Sequence, residues 1–392
     1  MIEKLKLVHQ NIFIYFAITT FNNFWFITSS WVNYWLKYMS ISEIGIIDAI
    51  AFAVGVLIEI PSGLISDRLG RKYSLVIASF FQFLGSFIIT ISMNKFEIAA
   101  GFIIFQIGTA LFSGTIEAFG YEESLKNNLD YQDLLMKSQY FASFGNLFSL
   151  FIGGYFYLVN KNIPNFLWSL NYLISLILSI MILVNSQPSL FENVENSVRL
   201  KIKDYLHNFS FKTTLYLVIL SSVVFSFDYG FLKLTIMESF STIENNFYIL
   251  SVVIVLSLIL SNILIKKSKN YERIILILFC LLTFLLLTNS IFQYSFLILF
   301  FFLNFLTIYV FQISLNYINT RIRDSVRASF ISLFNFAYKI PYVFLALFLG
   351  FSLEKLDISQ TLTYLGIFML TLGLLSQILL KLLYNKPLVK GA

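Results

Sequence analysis

Apolar runs of about 20 residues, each long enough to cross roughly 30 Å of hydrocarbon as a helix, follow one another from end to end of the chain. Short charged or Asn-rich breaks separate them. Reading run against break predicts twelve membrane helices, near 11–37, 42–66, 72–94, 97–123, 132–159, 164–185, 213–237, 245–266, 272–290, 292–320, 326–352 and 358–384. The short alternating segments of a transmembrane barrel are missing, so the expected class is an all-α polytopic membrane protein. The longest hydrophilic interval carries Glu192, Glu195, Arg199, Lys201, Lys203, Asp204 and Lys212. It divides the chain into a six-helix bundle at 1–186, a cytoplasmic linker at 187–212 and a second six-helix bundle at 213–392.

Charge then fixes an orientation. Only 12% of the 392 residues are charged, against about a quarter in a soluble domain. Of the 27 Lys and Arg residues, 21 fall on the side that holds both termini, four on the other, and two, Lys233 and Lys339, within spans. Basic loops stay cytoplasmic, which predicts cytoplasmic termini and a place in the cell membrane. A missed helix would swap the sides of every later loop, so the asymmetry supports the span count as well. The net charge of +6 is therefore topological, and no nucleic-acid partner is expected. Cys280 is the single cysteine, and His9 and His207 lie outside the apolar runs. No metal-ligand or phosphate-loop spacing occurs, so neither a metal nor a cofactor is expected. An extramembrane catalytic loop is also missing, which argues against an enzyme.

Residues 59–75 interrupt this pattern with Gly63, Asp67, Arg68, Gly70, Arg71 and Lys72 packed between two spans. So short a junction needs a sharp turn, and Gly70 can take the positive φ that it requires. Asp67 sits at a helix C-terminus, where the dipole disfavours a carboxylate, and so needs cationic partners or a neighbouring helix N-terminus. The spacing resembles the signature between the second and third helices of major facilitator superfamily transporters. That resemblance implies two pseudo-symmetric six-helix bundles around a central cavity. It implies that Asp67 helps latch the cytoplasmic gate, and that Arg71 pairs with an acid at the inner end of helix four, where Glu122 and Glu123 lie. A purely topogenic role for Arg68, Arg71 and Lys72 is the alternative.

Ionisable groups are costly within a bilayer and mark function by default. Here they are Asp48 and Glu59 on helix two, Glu117 on helix four, Asp228 and Lys233 on helix seven, and Lys339 on helix eleven. Helical spacing puts Gln106, Ala110, Ser113 and Glu117 on one face, and Asp48, Phe52, Gly55 and Glu59 on another. Ser332, Asn335 and Lys339 align on helix eleven, as do Ser221, Asp228 and Thr235 on helix seven, and Thr19, Asn23 and Ser30 on helix one. Such polar stripes face protein or water. Glu59 and Glu117 are read at similar depth, where two poorly solvated carboxylates can hold a proton; a hydrogen-bonded structural role for Glu117 stands beside that reading. Lys339 and Asp228 are deep enough to pair, either as a structural bridge or as a substrate or proton site. Lys233 and Asp48 lie nearer the outer surface and are expected to snorkel. Trp25 is deep enough to touch substrate, with lipid-facing packing as the leading expectation.

One further motif bears on direction. Residues 145–154 retain Gly145, Gly153 and Gly154 but place Ser149 and Leu150 where drug–proton antiporters of the superfamily carry Gly-Pro. The antiporters' helix-four arginine is also missing, and Gln106 is the nearest polar residue. The expected function is secondary active transport by alternating access, with proton-coupled export of an amphiphilic or drug-like small molecule as the leading reading. Uptake of a small solute, or lipid flipping, is the alternative; a membrane enzyme or a non-transporting protein is remote. The expected partners are the small-molecule substrate, protons and the lipid bilayer, with the protein a monomer.

Overall fold

The computed structural model describes residues 2–184, 211–228 and 327–383, with scattered helical residues between 252 and 314. Among the described residues the structure is helix and turn, with no strand. The helices are α1 (Ile2–Asn22), α2 (Trp31–Trp35), α3 (Ile41–Leu69), α4 (Arg71–Ile91), α5 (Lys95–Lys126), α6 (Tyr131–Val159), α7 (Ile163–Val184), α8 (Phe211–Asp228), α9 (Arg327–Lys355) and α10 (Ile358–Leu383). A further apolar helical stretch runs over Phe301–Phe311. The spans expected at 245–266 and 272–290, and the linker, lie almost wholly outside the described residues.

Local sequence explains where the helices begin. Ser40 and Glu43 form a reciprocal capping box: the Ser40 N–H donates to Glu43 Oε2 at 2.9 Å, and the Glu43 N–H to Ser40 Oγ at 3.3 Å. Asn94 caps α5 by accepting from the backbone of Phe96 and Glu97, both at 3.0 Å. Between α3 and α4 the chain turns on Gly70 alone, with φ at 86°, a conformation that a Cβ disfavours.

Two compact units emerge. One comprises Met1–Met39, Ile50–Arg199 and Ala328–Phe336; the other comprises Ser40–Ala49, Leu200–Arg327 and Ala337–Ala392. In the first, α4 lies close against α5: a Cβ at Gly85 would stand 2.4 Å from the Phe105 nitrogen, and one at Gly108 2.6 Å from the Gln82 nitrogen. Small residues that admit such backbone approach, with serine hydroxyls between helices, are how membrane helices associate without a hydrophobic drive. Accordingly α4 meets α7 through a Ser79–Ser179 hydroxyl pair at 2.9 Å, and Thr90 donates to the Asn165 carbonyl at 2.9 Å. Phe105, Trp168 and Tyr172, all fully buried, pack ring on ring beside this seam.

The expected single helix over 11–37 is corrected. It breaks after Asn22, runs as turns to Ser30 and resumes as α2. Neither Pro nor Gly causes the break. Residues 19–30 are instead rich in Thr, Asn and Ser, whose side chains bond nearby carbonyls and compete with the helical ladder. Thr19 donates to the Tyr15 carbonyl, Thr20 to that of Phe16, Asn23 to that of Thr19 and Thr28 to that of Trp25.

Candidate functional site

The break in the first span is held from two sides. From α7, Asn171 Nδ2 donates to the Phe21 carbonyl at 2.6 Å and the Tyr172 hydroxyl to the Asn22 carbonyl at 3.4 Å. These replace bonds that the interrupted helix no longer makes, which lipid could not supply. From α6, Gly145 and Gly153 let the broken segment lie directly on the helix: added Cβ atoms would stand 2.7 Å from the Thr20 oxygen and 1.9 Å from the Phe26 oxygen. Two of the three motif glycines thus have a packing reason, while Gly154 is buried beside them. Asn22 also exchanges amide bonds with the buried Gln82, at 3.0 and 3.4 Å. Sequence reasoning missed Asn22, Gln82 and Asn171; the Asn/Thr/Ser density around residue 22 is the signal that could have found the break. Trp25 is half-buried, and its ring packs on Phe105 and Trp168. Asn23, beside it, is half-buried.

At the Gly70 end of the first unit, charges meet. Arg71 Nη1 lies 2.6 Å from Glu122 Oε1 and donates to the Ala118 carbonyl at 2.9 Å, tying the start of α4 to the end of α5. Glu122 is therefore the acid that Arg71 reaches. Glu123 is buried and serves another contact: Lys126 Nζ lies 2.8 Å from its Oε1, and Asn11 Nδ2 donates to its Oε2 at 3.4 Å, bringing in α1. Lys72 is the second residue of α4. The backbone of Gly63, Asp67 and Arg68 continues α3, but their side chains lie outside the described residues.

The two acidic stripes do turn inward. Asp48, Phe52, Gly55 and Glu59 are buried on α3, whereas Ile50 and Leu57 are exposed on its other side. Gln106 and Ala110 are buried on α5, and Glu117 is half-buried. The stripes touch at Gly55, where an added Cβ would lie 3.6 Å from Gln106 Cβ. From that level Glu59 is four residues on and Glu117 eleven residues on. At 1.5 Å per residue along parallel helices, the two carboxylates differ in depth by roughly 10 Å. The expectation of similar depth is corrected, and the reading in which the two carboxylates hold a proton between them falls with it.

Asp48 departs furthest from expectation. It does not snorkel: it is 0% exposed, and its Oδ2 accepts a hydrogen bond from the Tyr342 hydroxyl of α9. Its Oδ1 has no hydrogen-bond partner among the described residues. Next to it the backbones of α3 and α9 touch, since a Cβ on Gly45 would stand 2.7 Å from the Ala346 oxygen and 2.8 Å from Gly350 Cα. The rings of Phe225, Tyr338 and Tyr342 pack together behind this contact. Lys339 is half-buried one turn before Tyr342. The side chains of Asp228 and Lys233 lie outside the described residues, and with them the Asp228–Lys339 pair.

Six described helices are long and apolar enough to cross a membrane, and they carry buried amides, acids and hydroxyls on their inner faces. This defines a multi-pass membrane protein with a polar interior. No family model matches the chain, and no curated protein matches it. Its fold is that of the twelve-helix major facilitator transporters. The crystal structure of the nucleoside transporter NupG aligns with a TM-score of 0.70 at 13% identity, over 96% of this chain and 99% of that one. A point mutant of NupG gives 0.68 at 14% identity, over 95% and 99%. A D-xylose-proton symporter gives 0.64 at 13% identity, over 98% and 97%. At this identity the likeness fixes the fold alone; all three neighbours are transporters.

Proposed function

We propose that the chain is a secondary active transporter that takes up a small polar solute together with protons by alternating access. The observation that carries this reading is the near full-length likeness to a nucleoside transporter and to a sugar–proton symporter. Buried amides and hydroxyls on inward helix faces suit a cargo that presents several hydroxyl or ring-nitrogen groups, as nucleosides and sugars do. Asn23 and Gln106 are the candidate polar contacts, and Glu117 the first candidate for carrying the proton, with Glu59, Asp228 and Lys339 in reserve. Asp67, Arg68, Gly70, Arg71 and Lys72 form the candidate gate with Glu122 and Glu123. The protein works as a monomer in the cell membrane with both termini cytoplasmic.

Export of an amphiphilic compound is the weaker reading. Its motif support is the glycine run of α6, and Gly145 and Gly153 are accounted for by the close approach of the broken first span. The test is uptake of a radiolabelled panel of nucleosides, pentoses and hexoses into proteoliposomes with an alkaline lumen. Gradient-stimulated accumulation of at least one, abolished by a protonophore, is the expected result. A panel that stays outside while lipophilic cations are moved would reverse the assignment.

A further inference from the structure

The acid at Asp48 has no place in the scheme above, yet it is the most thoroughly enclosed of the described intramembrane acids. It accepts one hydrogen bond, from Tyr342, and Oδ1 has no partner among the described residues. Its neighbours along α3, Ile44, Ala49 and Phe52, are buried, as are Leu345, Ala346 and Leu349 on α9. The titratable groups on the helices that pack here are few. Glu43 is engaged in the capping box with Ser40 at the start of α3. On α9, Tyr338 packs on Phe225 and Phe311, Lys339 stands one turn before Tyr342, and Glu354 and Lys355 lie about one turn past Gly350 at the exposed end of the helix. Tyr342 is the group recorded against the Asp48 carboxyl, and Asp228 of α8 has its side chain outside the described residues.

An ionised carboxylate so placed would have lost its water without gaining a cation among the described residues, a penalty far above that for a neutral acid. Asp48 is 0% exposed, and one turn before it the backbones of α3 and α9 touch at Gly45 and Gly350; parting of the two helices there would admit water. We infer that Asp48 is a proton-binding site whose occupancy governs the contact between α3 and α9. With the proton bound, the helices close at Gly45 and Gly350; without it, they separate and the carboxylate is hydrated. The proton comes from water at the membrane face where α3 begins and returns to it, and the bond made and broken is the O–H of the Asp48 carboxyl. This inference rests on the alternating-access reading, under which helices part at one membrane face to admit solute.

The test is pulsed electron–electron distance measurement on the full chain in nanodiscs. Spin labels are placed at Ser40→Cys and Lys355→Cys on a Cys280→Ser background. Because the closed form holds one more proton, the closed-to-open ratio should fall by about tenfold per pH unit above the transition. Asp48→Asn, a neutral mimic of the protonated acid, should stay in the short-distance form at every pH. Tyr342→Phe should keep a pH response with a displaced midpoint, and it guards against misfolding of the first variant. An identical pH response in wild type and Asp48→Asn, or none in wild type, overturns the inference. Absence of solute flux with the pH response intact would instead count against the transport reading.

Discussion

At Arg71 the protein gathers opposite charges: a guanidinium touches Glu122 at 2.6 Å, and Lys126 and Asn11 converge on Glu123. At Asp48 it buries one acid against a phenol and two glycine backbones. The first cluster is partly exposed, with the Arg71 and Glu122 side chains at 27% and 15%, while Asp48 is fully enclosed. The comparison teaches that one bundle fold can handle acids in two ways. Where cations are at hand, the carboxylate is held by ion pairs and an amide, Arg71 on Glu122 and Lys126 with Asn11 on Glu123. Where they are not, the proton itself is the counter-charge, and the contact depends on it.

The largest effect should follow from spoiling the backbone contact beside Asp48. Gly45→Val forces a side chain into the Ala346 carbonyl and Gly350, and overpacking of this kind costs about 3 kcal/mol. A lowered unfolding midpoint in detergent checks it, and wild-type stability would show that the contact yields easily. Arg71→Ala comes next, because it strips Glu122 of its charged partner, at a cost of about 2 kcal/mol. Adding Glu122→Gln to Arg71→Ala should recover about 1 kcal/mol in a double-mutant cycle. Strict additivity in that cycle would mean that the pair is a spectator. Asp48→Asn should be the mildest, within about 1 kcal/mol of wild type at neutral pH, since it exchanges one neutral hydrogen-bonding group for another. A loss comparable to that of Arg71→Ala would indicate a charged Asp48 and would erase the contrast between the two regions.

Much of the fold is legible in the sequence because bilayer thickness dictates helix length. Helices α3 to α7 begin and end within a few residues of the expected spans. The turn at Gly70 and the reach of Arg71 to the end of α5 follow from residue types at one junction. The break after Asn22 escaped because run length records hydrophobicity and not the local competition of Thr and Asn side chains for carbonyls. The burial of Asp48 escaped for another reason. Its distance from the end of α3 suggests snorkelling, and only the partner helix, with Tyr342 lying 294 positions away in sequence, removes that escape by pressing Gly350 on Gly45. Depth along one helix is local information; which face another helix covers is not. The glycines of α6 illustrate the same limit, since the motif that suggests export also serves to seat a broken helix.

The central claim, that substrate and proton enter together, is tested most directly by recording lumenal pH with trapped pyranine in proteoliposomes. The external addition of a solute that the protein transports is the trigger. The account predicts acidification of the lumen that stops when a protonophore is present and is absent from protein-free vesicles. Alkalinisation on addition of the same solute would mean exchange of solute for proton, and would contradict it.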